Sequence, residues 1–552
     1  MTETMIQRTA KAIKQSPREI FGWQLIYCVL IIAFSGVAKG IDEGNIASVV
    51  TMNSFRKEFG WTHLSKTDEA NVKGWVISIA TAGAVPGAFA SIKLNQMYGR
   101  LWSLRLFTLV YMAGVIGQAC SGGNIGALYA SRFIGGIGIG ATTVMPSVYI
   151  AEIAPSCIRG LAVLQYAACQ QLGVVFGFFF AYASQHHQPN NSSMQWRLCT
   201  FMQLIPAAIW LAGSFLCIES PRWLLNKGKD EKALENLSSF RNLDASHPYV
   251  QQEFDLMQRG VLEEKHATAD ASMWQLTKEV FATANSRRRF WILTAAHLFG
   301  QWSGSNSITQ YSPTIFSYLG ITGDTTKLLA TGLYGVVKFT STVVTAFFVI
   351  DFIGRRRSLI TGVSMQIVTL TIVGAYLGVT NGKTTAQIEA SKSLTSASRL
   401  AIVAIYFHAV AWSVGWFSLP YLLSAELFET RVRGLTYGFY MAWHWLLYFG
   451  CSRATSSMLV AFDRWGAFAF FAGICVLGLT FVFFCIPDTT GRSLEEIKDI
   501  FDTPAFSIWR VAYAQPKHDS ALHEVDDAEA ARLPQSSSAS SHSQRKSLEK
   551  NV

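Results

Sequence analysis

Twelve stretches of about 20 mostly apolar residues run through this chain, at roughly 23–43, 73–94, 104–121, 127–149, 162–184, 198–218, 291–317, 328–350, 358–379, 400–424, 434–460 and 465–486. As a helix, each is long enough to cross a hydrocarbon core of about 30 Å. Lipid cannot hydrogen-bond a free backbone group, so only helices and closed barrels span it, and runs of this length select helices. Charge agrees with this reading: only 15% of the 552 residues are charged, against about 25% in an average soluble domain. The net charge of +10 (46 basic against 36 acidic residues) alone would suit a nucleic-acid binder. The basic residues, however, sit in short connections between apolar runs, so the expected partner is the lipid bilayer and not nucleic acid. Nine cysteines, at 28, 120, 157, 169, 199, 217, 451, 475 and 485, form no CxxC pair and read as small buried apolar residues, not as a disulfide or zinc framework.

Positive charge orients the spans. The connections after spans two, four, six, eight and ten carry Lys93, Arg100 and Arg105; Arg159; a run from Arg222 to Arg289; Arg355, Arg356 and Arg357; and Arg431 with Arg433. Those after spans three and five, 121–126 and 185–196, carry no Lys or Arg. Basic connections therefore face the cytoplasm and both termini are cytoplasmic. The first run is too long for a cleaved leader and is expected to stay. Two sequons, at Asn190 and Asn191, fall outside as glycosylation candidates, and a third, at Asn236, falls inside. The expected organisation is a tail (1–22), six spans (23–218), a charged helical linker (219–289) around GKDEKALENLSSFR, six more spans (290–486) and a cytoplasmic tail (487–552), disordered after about 515, where SSSASSHSQRKS is low-complexity.

The two halves repeat each other. YGRLWSL follows span two and EIAPSCIRG span four; DFIGRRRSL follows span eight and ELFETRVRG span ten. Glu152 precedes Arg159 by seven residues, as Glu426 precedes Arg433. A same-orientation repeat of six spans places a substrate site near the midplane between the halves. RFIGGIGIG, PSVYIAEIAPSCIRG, ESPRWLLNKG, GQWSGSNSITQYSPTIF, DFIGRRR and PDTTGRSLEEI, in this order, resemble the sugar-porter branch of the major facilitator superfamily, especially its fungal members. The resemblance implies an all-α membrane protein of twelve transmembrane helices in two six-helix pseudo-repeat halves, with no cofactor beyond protons as the coupling ion. It also implies a multi-pass plasma-membrane protein that works as a monomer.

For particular residues, the resemblance implies a cytoplasmic gate of Arg100, Glu152, Arg159, Asp351, Arg355, Glu426 and Arg433. Gln96 and Leu101 depart from the usual acidic and basic residues there and suggest a looser N-half latch. Asp42 and Arg132 match the pair used in proton coupling, or in a facilitator a fixed ion pair. A cation beside a buried carboxylate favours its charged form, so a cation that moves controls proton uptake. Lys39 and Glu43, spaced i,i+4, are expected to pair with each other. With Lys338 in span eight, Lys39 could instead contact an anion. Hydroxyl-rich solutes need side chains that both donate and accept, and an aromatic face for the ring. Gln301 and Asn306 match the family's span-seven motif, joined by Gln310 and Tyr311. In span five, Ala167 stands where the family has Gln, with Gln170 and Gln171 nearby. Tyr421 replaces a usual Trp, and His444-Trp445 a usual Asn-Trp; His444 reads either as structural or as a ligand or proton relay. Glycines 135, 136, 138 and 140 lie inside an apolar run and point to close helix packing, not to a phosphate loop.

The expected function is secondary active transport of a monosaccharide or close polyhydroxylated solute, by proton symport with alternating access. Two alternatives stay open: carriage of an acidic sugar or organic acid of galacturonate or quinate type, and a sugar sensor that does not transport. No nucleophile–base or metal-ligand spacing suggests an enzyme.

Overall fold

The computed structural model describes residues 13–14, 16–268, 272–349, 353–417, 420, 423–424, 427–428, 430–488, 501 and 509. Helices stand at all twelve expected positions, and among the described residues there is no strand. Spans one to five are Trp23–Val49, Lys66–Tyr98, Arg100–Ala119, Ile125–Ile153 and Arg159–His187. Span six is broken into Met194–Phe201 and Leu204–Ser214, and span seven into Ala284–Gln301 and Ser305–Tyr318. Span eight, Asp324–Val344, runs into a π turn at Thr345–Val349. Spans nine to twelve are Arg355–Val379, Lys392–Val414, Thr430–Ala461 and Trp465–Cys485. Eight of the helices, those of spans one to five, nine, ten and twelve, are long and apolar enough to cross a membrane. Spans six and seven are each broken in two, and spans eight and eleven carry more polar side chains, Lys338 and His444 among them. Irregular or polar segments at membrane depth are tolerated where protein or a cavity surrounds them.

Glycine rows let helix backbones touch. Gly83 and Gly87 of span two meet span four at Phe133 to Ile137, while on span one Gly36 meets Tyr166 and Gln170 of span five, Gly40 meets Gly173 and Gly44 meets Gly177. A Cβ on Gly140 would lie 2.0 Å from the Ala84 carbonyl oxygen, and one on Gly40 2.0 Å from that of Gln170. Packing of small residues replaces the hydrophobic drive that lipid cannot supply, so the glycine run of span four is a packing surface, as its apolar setting implied.

The halves meet where span two packs on span eleven, span five on span eight, and span one on the second part of span seven. Beneath them the linker forms helices Pro221–Asn226, Asp230–Arg241, Pro248–Thr268 and Met273–Ala282, with a small core of its own around Leu224, Leu237, Val250 and Phe254. Arg241, fully buried, ties this layer to the N-half: it donates to both Glu253 oxygens at 2.7 and 2.6 Å and to the Ile153 carbonyl at 2.8 Å. Arg431 bonds Glu279 at 2.8 Å on the C-half side. Asn236 is buried, its amide donating to the Glu219 carbonyl, which keeps that sequon inside the fold.

Candidate functional site

A cavity of about 580 Å³ lies between the halves. Its lining runs from Lys39, Glu43 and Lys338 at mid-span to Arg222 and Glu264 of the linker, which pair across its mouth at 3.1 Å. The opposite end is shut. Arg453 of span eleven bonds Asn71 of span two and stands 4.9 Å from the Trp75 ring, which packs on Phe449. Lys73 of span two bonds Thr314 of span seven at 2.6 Å. The cavity is thus open to the linker side and closed on the other.

The break in span seven builds its polar wall. Gly304 takes φ +88° against the Phe471 ring, a left-handed turn that favours glycine. The turn ends one helix at Gln301 and starts the next at Ser305, so Gln301 and Asn306 both line the cavity. The Asn306 amide donates to Gln301 Oε1 at 2.7 Å, and Gln301 Nε2 lies 2.9 Å from His444 Nδ1. Gln170 and Gln171 face them from span five; Gln171 is buried and its Oε1 has no hydrogen-bond partner among the described residues. Such a buried acceptor beside a cavity suits a solute hydroxyl. Trp412, Trp416, Phe417 and Tyr448 supply apolar walls. These aromatics were not among the sequence candidates, and for Trp412, Trp416 and Phe417 the cluster AWSVGWF ahead of Pro420 was the signal.

Three charges line the cavity at mid-span, and their pairing differs from the expectation. Lys39 and Glu43 do not pair: one helical turn apart, each is drawn across the gap to the other half instead. Glu43 lies 3.8 Å from Lys338 Nζ, which also bonds Thr309 Oγ1 at 3.0 Å and stands 4.4 Å from the Trp412 ring centre. Lys39 Nζ stands 4.8 Å from the Trp445 ring centre, an arrangement that attracts a desolvated cation. Behind them, Asp42 meets Arg132 at 3.3 Å, both buried, and Arg132 also donates to Gln118 at 3.0 Å. A second cavity, of about 20 Å³, touches Asp42, Arg132, Gln310 and Trp445 and shares Lys39, Glu43 and Tyr448 with the large one. That is room for one water.

Other candidates fall elsewhere. Tyr311 does not line the large cavity: its hydroxyl donates to the Ser452 carbonyl at 2.9 Å and its ring lies under Lys73, on the closed side. Gln310 accepts from Ser452. Tyr421, Asp351 and Glu426 lie outside the described residues, as does the side chain of Arg433. Arg159 is exposed and makes no ion pair among the described residues; it opens span five after the chain has turned away from Glu152. The partner of Glu152 is Arg100, at 2.7 and 3.0 Å. Ser220 Oγ donates to Glu152 as well, and Glu219 accepts the backbone N–H of Arg100 and Leu101 at 3.1 and 3.2 Å. Burial pushes the Glu219 carboxyl above its ordinary range, against those N–H groups. The acidic end of ESPRWLLNKG is therefore part of the charge cluster on the linker side. Arg355 opens span nine. Asn190 and Asn191 are exposed on the side away from the linker, their Oδ1 atoms accepting from Gln185 and Lys57.

Residues 28–501 match the family model described as sugar (and other) transporter. The chain is 31% identical over 519 residues to a probable quinate permease of Aspergillus niger, covering 94% of each. It is 32% identical over 491 residues to the quinate permease of Emericella nidulans, covering 89% of this chain and 90% of that one. Among solved structures it is similar to the partially occluded inward open conformation of the xylose transporter XylE from E. coli, with a TM-score of 0.70, 20% identity, and 85% and 99% of the two chains covered.

Proposed function

This chain belongs to the sugar (and other) transporter family, and we propose that it is a proton symporter for a small polyhydroxylated solute bearing one carboxylate, of the quinate type. One observation carries the choice of substrate: at mid-span the cavity is lined by two lysines, Lys39 and Lys338, against one carboxylate, Glu43, while Arg222 and Glu264 at its mouth balance each other. An unbalanced cation away from water is costly, and a substrate carboxylate offsets that cost. The relatives called quinate permeases agree with this. Gln171, Gln301 and Asn306 would serve the hydroxyls, and Trp412 and Trp416 the ring face. Asp42 would carry the proton, released to it as Arg132 moves. Neutral sugars are the second reading, favoured by the cover that the Trp445 ring already gives Lys39. Basic connections on the linker side support cytoplasmic termini, and we read the protein as a monomer of the plasma membrane.

The readings separate in competition assays of uptake by a host without its own carriers. Quinate or galacturonate is expected to inhibit better than any hexose, and Lys39→Gln to remove that preference. Hexoses competing best, with the ranking unchanged in Lys39→Gln, would exclude the acid. Gln301→Ala and Asn306→Ala are each expected to raise the half-saturation concentration about fivefold, the loss of one hydrogen bond of about 1 kcal/mol, with little change in protein abundance. Normal transport by both variants would put the solute site elsewhere.

A further inference from the structure

A third cavity, of about 220 Å³, opens on the side away from the linker and touches none of the residues that line the central one. Its polar lining includes Arg56, Glu69, Lys73, Thr314, Asp324 and Lys327. Both of its carboxylates are engaged: Glu69 with Arg56 at 2.9 Å and Asp324 with Lys327 at 3.5 Å. Among the described residues Lys73 is left with no carboxylate within 4.0 Å, because Glu69, one turn earlier on the same helix, is taken by Arg56. Its ammonium instead bonds the neutral Thr314 hydroxyl and stands 5.6 Å from the Tyr311 ring centre. That bond joins span two of one half to span seven of the other, and it closes the outer end of the central cavity. The vestibule thus holds one uncompensated cation, and that cation is also an outer tie.

We propose that this vestibule is a first binding site for the same organic monocarboxylate, with Lys73 as its anion contact. The proposal rests on the substrate class inferred above. A carboxylate offers Lys73 an acceptor of opposite charge, so that both partners are ionised, where the Thr314 hydroxyl offers only a neutral acceptor. Arrival of the solute therefore draws Lys73 from Thr314 and loosens the outer closure in the same event. A neutral polyol has no such hold on the ammonium.

The test uses radiolabelled quinate and membrane vesicles holding the full chain, right-side-out and inside-out, so that half-saturation is read at each face. Lys73→Gln is expected to raise the outer value about tenfold, the scale of a lost charge-assisted hydrogen bond, and the inner value less than twofold; Lys73→Arg restores the outer value. Thr314→Val keeps the cation but cuts the tie, and is expected to lower the outer value or leave it unchanged. If Lys73→Gln and Thr314→Val shift the outer value in the same direction, Lys73 acts only as a tie and the proposal is wrong. It is equally wrong if Lys73→Gln moves both faces alike or neither. Should the wild-type chain take up hexoses and not quinate, the substrate reading fails, and the vestibule site with it. That outcome is distinct from quinate transport that ignores Lys73.

Discussion

Asp42→Asn is expected to abolish accumulation against a gradient while leaving exchange of solute across the membrane. Asp42 and Arg132 are buried 3.3 Å apart, next to a water-sized cavity that also touches Lys39 and Glu43 at the solute cavity. The amide copies the shape and neutrality of a protonated carboxyl, so the variant behaves as though its proton never leaves. Without release there is no coupling, but a permanently neutral residue 42 still lets the halves rock. Arg132→Ala does the reverse: it leaves Asp42 buried without its cation, at a cost of about 3–5 kcal/mol, and is expected to stop both accumulation and exchange. Counterflow and net uptake, measured on the same cells, separate the two variants. Full pH-dependent accumulation in Asp42→Asn would remove Asp42 from the coupling step.

The second large effect is one of packing. Gly140→Ala adds a single methyl group, but its carbon would fall 2.0 Å from the Ala84 carbonyl oxygen and 2.7 Å from the Ala84 Cα, where only backbone could yield. Spans two and four must part, at about 3 kcal/mol or more for an overpacked contact of this kind. The same substitution at Gly434, whose added carbon would meet nothing within 4 Å, is the control. Thermal melting of the detergent-purified protein is expected to fall by several degrees for Gly140→Ala and to stay put for Gly434→Ala. Equal melting temperatures would show that the glycine row is dispensable.

What the sequence made legible follows from the physics of lipid. A span must be about 20 apolar residues long, so the twelve helices, their two halves and the family were readable from runs and repeated motifs. Charge pairing was legible only in part: Asp42 meets Arg132 as expected, but other pairs differ. Lys39 and Glu43 sit at a spacing that suits a pair, yet Glu43 reaches Lys338, almost 300 positions away in the chain, because the cavity lies between spans one and eight. Glu152 likewise turns from Arg159, near in sequence, to Arg100 on span three. Local spacing reports what shares a helix face; it does not report which helix stands opposite. Tyr311 shows the same limit on a smaller scale: beyond the break in span seven, five residues carry the chain from Asn306 in the cavity wall to the closed side away from the linker.

The most direct measurement follows from charge arithmetic. One proton carried by Asp42 with one monocarboxylate solute moves no net charge, whereas a proton with a neutral sugar moves one. Proteoliposomes of the full chain, given radiolabelled quinate, can be driven by an acid-outside pH gradient at zero potential, or by an inside-negative potential at equal pH. Accumulation is expected under the pH gradient and not under the potential alone. Accumulation under the potential alone, or none under the pH gradient, would contradict proton-coupled carriage of a carboxylated solute.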